Sequence, residues 1–243
     1  MAGKEDDTVD AALRKRAGLT GNQLKLIALA AMTADHVGLV LLPSWQLLRY
    51  IGRIAMPVFA WMIAEGCRHT RSRGRYFWSI ALLGSLCQTV AWLVTGTLYQ
   101  NILITFTLSV LLIFLLDAAE SRIWCRWLLP IALAAVFFLT AVLPEWFPGQ
   151  DFAIDYGFFG VLLPVLFYRG ENKWQQILLG ALDLAALSLL REPAQWLCLL
   201  SLPLLALYNG QRGRIKMKYL FYIYYPAHLA AIYLLEFLLR LTF

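Results

Sequence analysis

Long apolar runs alternate with short basic or proline-containing stretches along nearly the whole chain. The first run, 24–43 (LKLIALAAMTADHVGLVLLP), has the roughly twenty residues that an α-helix needs to cross a bilayer core of about 30 Å. Further runs follow at 47–67, 76–95, 101–118, 127–144, 153–168, 174–190, 194–208 and 218–240, the run at 194–208 being short for a full crossing. The pattern predicts an all-α fold, a polytopic transmembrane helical bundle of about nine spans (between about 8 and 10). Residues 1–22 are polar and read as a disordered cytoplasmic tail, and 23–243 as a single transmembrane domain. Nothing at the start has the apolar core and small-residue cleavage site of a signal peptide, so the first span is expected to serve as the targeting signal.

Composition strengthens the membrane reading. The chain is 60% hydrophobic with a mean hydropathy of +0.65, whereas soluble domains are about 45–50% apolar. The net charge of +6 would suit a nucleic-acid binder, but its distribution argues for topology instead. Basic residues fall in the tail (Lys4, Arg14, Lys15, Arg16), after the second span (Arg68, His69, Arg71, Arg73, Arg75) and after the fourth (Arg122, Arg126). They recur after the sixth (Arg169, Lys173) and the eighth (Arg212, Arg214, Lys216, Lys218), while the alternate loops carry only Arg191. This is the positive-inside pattern, with the N-terminus cytoplasmic and the C-terminus outside. Cys67, Cys87, Cys125 and Cys198 show no C-x-x-C spacing, so no metal site or disulfide framework is expected. P-loop, H-E-x-x-H and G-x-S-x-G motifs are absent, which argues against ATP-driven pumping, metalloprotease and serine-hydrolase chemistry.

Candidate chemistry comes from polar residues inside the apolar runs. Asp35 and His36 sit together in the first span, and an ionisable residue at such a position costs about 2.5–3.5 kcal/mol even on the lenient insertion scale. Lys25 and His36 are eleven residues apart, close to three helical turns, and so share a face; Asp35 is rotated by roughly 100° from His36. Arg49 and Arg53 lie one turn apart early in the second span, and Arg53 is expected at the depth of the Asp35–His36 pair. Gln88, Asn101, Thr105, Asp155, Tyr156, Asp183 and His228 extend a polar core through other spans. The run Arg68-His69-Thr70-Arg71-Ser72-Arg73-Gly74-Arg75 reads either as a topology signal drawn to anionic membrane lipids or as a phosphate-binding mouth.

KLIALAAMTADHVGLVL followed by LRYIGRIAMPVFAWMIAEGCRHTRSRGRY resembles the opening of the TraX family of membrane proteins. NILITFTLSVLL, IDYGFFGVLLPVLFY, LYNGQRG and KYLFYIYYPAHL resemble its later blocks. The block GRIAMPVFAWMIAEG is also similar to one in the integral-membrane acyltransferase-3 family, whose first span carries an Arg eleven positions before a His. The matching positions here are Lys25 and His36, so the basic residue departs from that pattern.

The resemblance implies an acyltransferase-like domain in the bacterial cytoplasmic (inner) membrane that takes acetyl groups from cytoplasmic acetyl-CoA. The acceptor would be an extracytoplasmic amine or hydroxyl, on pilin or another envelope component. His36, with Asp35, is the implied catalytic pair, His36 acting as a base or a covalent acyl carrier. From their positions, Arg53, Asn101, Thr105, Asp155, Tyr156 and His228 are the candidate oxyanion and substrate residues, and Lys25, Arg68, Arg71, Arg73, Arg75 and Lys218 the candidate acyl-CoA contacts, the acyltransferase-3 arginine pair falling within residues 71–75. The competing readings are a non-catalytic scaffold for pilus assembly and a small-solute carrier. Pro57, Pro164, Pro203 and Pro226 interrupt spans as a carrier's broken helices would, but they do not pair into matching halves.

Overall fold

The computed structural model describes residues 18–147, 151–213, 217 and 220–242. The described residues are helical, with no strand among them beyond isolated bridges joining Leu19 to Tyr208 and Gln100 to Ile154. The α-helices are α1 Gly21–Val40, α2 Gln46–Gly52, α3 Ala55–His69, α4 Arg73–Thr95, α5 Ile102–Ser121 and α6 Ile123–Phe137. They continue with α7 Gly157–Arg169, α8 Lys173–Leu189, α9 Ser201–Ala206 and α10 Leu220–Thr242. A π-helical turn (Phe138–Val142) and a 3₁₀ turn (Leu143–Trp146) prolong α6, and a 3₁₀ segment (Pro193–Leu200) leads into α9.

Among the described residues, six helices are long and apolar enough to cross a membrane: Gly21–Val40, Gln46–His69, Arg73–Thr95, Ile102–Ser121, Ile123–Trp146 and Leu220–Leu241. The protein is an all-α, polytopic membrane protein. The remaining expected spans correspond to shorter or more polar helices. At 13 residues α7 reaches about 20 Å. It is short because residues 153–156, read from their hydropathy as part of a span, run instead through an extended loop. Gln100 N–H donates to Ala153 C=O at 2.7 Å and Asp155 N–H to Gln100 C=O at 3.1 Å, and the helix starts only after left-handed Tyr156. Helix α8 has 17 residues and includes Gln175, Gln176 and Asp183.

The second run breaks between Gly52 and Ala55. Pro57 explains it: proline has no N–H for the carbonyl four residues back, that of Arg53, and its ring crowds that carbonyl. Tighter i→i+3 bonds close the break, Arg53 N–H to Tyr50 C=O and Ile54 N–H to Ile51 C=O. Other helix ends follow local chemistry. Thr20 and Gln23 form a reciprocal capping box on α1, Asn101 and Asn172 cap α5 and α8, and left-handed Gly96 closes α4.

Helix α8 buries three polar side chains beside Leu184 and Leu187 and turns an apolar face outward. Gln176, Asp183 and Ser188 are buried, whereas Trp174, Leu178, Leu182 and Leu189 are each more than half exposed. Such a face is stable against lipid and not against water. On α4, Trp78, Leu82, Leu86, Val90 and Leu93 form a similar exposed apolar stripe at helical spacing.

The chain divides into two compact units, one formed by the residues up to Phe59 together with those from Leu197, the other being Ala60–Trp196. In the first unit α1 and α2 pack across two glycines. A Cβ on Gly38 would lie 2.8 Å from Leu48 Cβ, and one on Gly52 would lie 2.3 Å from Asp35 Cβ. Gly18–Asn22 is tied to the segment after α9, with Leu19, Gly21 and Asn22 N–H groups donating to the carbonyls of Leu207, Gln211 and Arg212. Residues 1–17 and Lys218 lie outside the described residues.

In the second unit Ser109 donates to the Thr105 and Val161 carbonyls, joining α5 to α7. The loop before α7 is fastened to the end of α4 by Asp151, whose carboxylate accepts from the Thr97 hydroxyl and, at 3.0 Å, from the Leu98 N–H. The Thr97 bond, with the Leu98 bond behind it, holds the Asp151 carboxyl below the usual carboxylate range.

The lowered Asp151 value gives a pH dependence of known sign. Its contribution to stability is complete above the unfolded carboxyl value, about 3.9, and is lost as pH falls through the lower folded value. Thr97→Val should raise the Asp151 titration part of the way toward the ordinary carboxylate range, the Leu98 N–H bond keeping the rest of the shift, read by carboxyl ¹³C NMR. A second prediction concerns the close helix contact. Gly52→Ala should destabilise the protein by about 1–3 kcal/mol. Gly74→Ala, where a Cβ meets nothing within 4 Å, should be nearly neutral. Thermal unfolding in detergent compares the two.

Candidate functional site

Polar residues of α1 divide between two faces. Asp35 turns toward α2, and its carboxylate pairs with the Arg49 guanidinium at 2.8 Å. The sequence places Arg53 at the depth of Asp35, but the ion pair forms with Arg49. Arg49 sits one turn earlier, within the regular part of α2, whereas Arg53 falls at the break imposed by Pro57. Arg53 is still near enough to act electrostatically on the Asp35 carboxylate. The second carboxylate oxygen, Oδ1, is buried without a hydrogen-bond partner among the described residues; it lies against Gly52.

The other face of α1 meets α10. Thr33 and His36, close to one turn apart, oppose Tyr224 and His228, themselves one turn apart. His36 Nδ1 is 2.8 Å from the Met32 carbonyl and 3.4 Å from His228 Nε2. The two rings meet edge to face, with centroids 5.0 Å apart. His228 Nδ1 is in turn 2.8 Å from the Tyr224 carbonyl, and the Tyr224 ring stacks on His228 at 5.3 Å. The Thr33 hydroxyl donates to Leu29 C=O at 2.9 Å, so at 2.7 Å it accepts from the Tyr224 hydroxyl. His36 Nε2 makes no hydrogen bond among the described residues, and the residue is half-buried.

The structure thus brings His36, Asp35 and His228 together, and adds Arg49, Tyr224 and Thr33. Tyr224 was legible as the residue one turn before His228 in the aromatic run YIYYPAH. Lys25 occupies the second turn of α1, half-buried, with no hydrogen bond or ion pair among the described residues.

Asn101, Thr105, Asp155 and Tyr156 lie together in the second unit. Asn101 Oδ1 caps α5 at Leu103 N–H, and its amide donates to Gly84 C=O and to Gln88 Oε1. Thr105 donates to the Asp155 carbonyl at 2.8 Å, and the Asp155 carboxylate accepts from the Tyr99 hydroxyl at 2.7 Å. Tyr156 adopts φ 58°, a left-handed position uncommon outside glycine, and the backbone turns there into α7.

The arginines after α3 separate by partner. Arg68 pairs with Glu65 at 2.7 Å, donates to the carbonyls of Phe167, Tyr168 and Gly170 at the end of α7, and lies over the Tyr168 ring. Arg73 pairs with Asp117, which also accepts from Tyr168. Arg71 and Arg75 are exposed and make no hydrogen bond or ion pair among the described residues. No group of three or more His, Cys, Asp and Glu side chains among the described residues is arranged to hold a metal ion.

The TraX protein family matches residues 20–236, from the cap of α1 almost to the end of α10. A protein of Dichelobacter nodosus named "Probable fimbrial assembly protein FimC, serogroup H1" is 27% identical over 237 residues, covering 86% of this chain and 92% of the relative. A Rickettsia prowazekii (strain Madrid E) protein named "Uncharacterized protein RP591" is 61% identical over 36 residues, 15% of this chain and 14% of its own. No solved structure matches the chain. With the family extending over both units and every residue of the His36–His228 seam, the chain belongs to the TraX family.

Proposed function

We propose that this protein is a multi-pass acetyltransferase of the bacterial inner membrane, with its N-terminus in the cytoplasm. It moves an acetyl group from cytoplasmic acetyl-CoA to an amine or hydroxyl of a pilus subunit or other envelope component at the outer side. One observation carries the reading: an imidazole in an apolar helix whose Nδ1 is engaged while Nε2 makes no hydrogen bond among the described residues. The name of the Dichelobacter nodosus relative supports a pilus-linked acceptor.

In the proposed reaction the acceptor nitrogen or oxygen bonds to the thioester carbonyl carbon. His36 Nε2 takes the proton that the acceptor loses, the carbon–sulfur bond breaks, and the imidazolium returns that proton to the departing thiolate. An imidazole can both take up and give back a proton, which suits both transfers. Asp35 remains an anion next to the developing cation, and Arg49 offsets its burial. Arg71 and Arg75 are the arginines of the basic run left to receive the donor's phosphates, since Arg68 and Arg73 are committed to protein partners. The Lys25 ammonium, with no ion pair among the described residues, stands on the His36 face of α1, some 16 Å along the axis from the ring.

His36→Ala should lower transfer by about a hundredfold or more while the protein still inserts and purifies normally. The measurement is labelled acetyl-CoA with inverted membrane vesicles, and full transfer by the variant overturns the reading. Arg71→Ala/Arg75→Ala should raise the KM for acetyl-CoA and leave kcat within about twofold, because phosphate contacts act on binding alone. A scaffold or solute carrier would bind no CoA and would tolerate His36→Gln.

A further inference from the structure

The geometry points to His228 as a positioning residue that holds His36 in the reactive tautomer, its Nε2 accepting the proton that His36 carries on Nδ1. The assignment rests on the reading of His36 as the base.

A backbone carbonyl can only accept a hydrogen bond, so a ring nitrogen 2.8 Å from one carries a proton. His36 Nδ1 faces Met32 C=O and His228 Nδ1 faces Tyr224 C=O, which makes both rings Nδ1–H. A neutral imidazole then has a bare Nε2. The bare Nε2 of His228 is directed at His36 Nδ1–H, 3.4 Å away, so that proton is shared between Met32 C=O and His228. What remains on His36 is the Nε2 lone pair.

The supporting ring is itself held. Tyr224 stacks on it with the planes 13° apart, Tyr225 meets its edge at 5.7 Å, and the Tyr224 hydroxyl is anchored on Thr33 of the opposing helix. A ring kept only for packing would not need its bare nitrogen turned to a neighbouring N–H. In many hydrolases a carboxylate accepts from the catalytic imidazole's far nitrogen. Here the neighbouring carboxylate, Asp35, turns to Arg49 instead, and a neutral acceptor stands at Nδ1, which adds no buried negative charge. When Nε2 takes a proton, the Nδ1–H bond to His228 becomes charge-assisted and strengthens, stabilising the cation when the reaction needs it.

The test uses ¹⁵N-histidine-labelled full-length protein in lipid nanodiscs, with tautomers read by NMR and transfer assayed alongside. Wild-type His36 should be in the Nδ1–H form. His228→Leu leaves the Met32 carbonyl as the sole acceptor for the Nδ1 proton, so a fraction of the His36 rings should appear in the Nε2–H form and kcat should fall about tenfold, the worth of one hydrogen bond, with both KM values unchanged. His228→Gln offers an amide oxygen as acceptor and should restore the tautomer and most of kcat. A wild-type His36 in the Nε2–H form overturns the assignment, as does His228→Leu with unaltered tautomer and kcat. Equal losses in the Leu and Gln variants with unaltered tautomer also overturn it, since they mark packing alone. Should the wild type transfer no acetyl group, the acetyltransferase reading fails, while the tautomer shift in His228→Leu still decides the role of His228.

Discussion

Inside hydrocarbon an ionisable side chain has no water to turn to, so each must find its partner on a neighbouring helix. The first unit is built around that requirement. Asp35 and His36 are consecutive, and consecutive helical residues point about 100° apart. One neighbour cannot serve both. Helix α2 meets the carboxylate with Arg49, and α10 meets the imidazole with His228, which leaves α1 wedged between them. The tight approach at Gly38 and Gly52 brings α2 within reach, and the Thr33–Tyr224 hydroxyl contact sets the register of α10.

The second unit meets the same requirement with a different chemistry. Asp117 gathers Arg73 and Tyr168, and Arg68 crosses from α3 to the bare carbonyls ending α7, doing the work of a helix C-cap. Asp183 is the exception: 4% exposed, it has a carboxylate oxygen with no hydrogen-bond partner among the described residues. Helix α8 turns its apolar face outward and Asp183 to its buried side, which leaves that carboxyl within protein rather than lipid.

The apolar runs made the helices legible, because the bilayer imposes one length and one polarity on whatever crosses it. Asp35 and His36 were legible for the same reason in reverse, as polar residues that a simple anchor would not carry. The choice of Arg49 over Arg53 was harder to see. Both share a face of an ideal helix, and only the effect of Pro57 on the carbonyl four residues earlier separates them. The shortening of α7 was not legible at all. It depends on bonds from Thr97, Leu98 and Gln100 to a segment some fifty residues later, and hydropathy carries no record of that pairing. Likewise Arg68, Arg71, Arg73 and Arg75 are alike in sequence and differ only in what the fold sets beside them.

The start of α1 has one more effect. A helix N-terminus ordinarily attracts anions, because its first N–H groups point outward and the peptide dipoles add up there. In this chain those donors are plugged: Thr20 and Gln23 cap one another, and carbonyls of Gln211 and Arg212 take the Gly21 and Asn22 amides. The backbone at that end therefore offers no cradle to a phosphate, and attraction of an anion falls wholly to side-chain cations, whose grip salt can loosen.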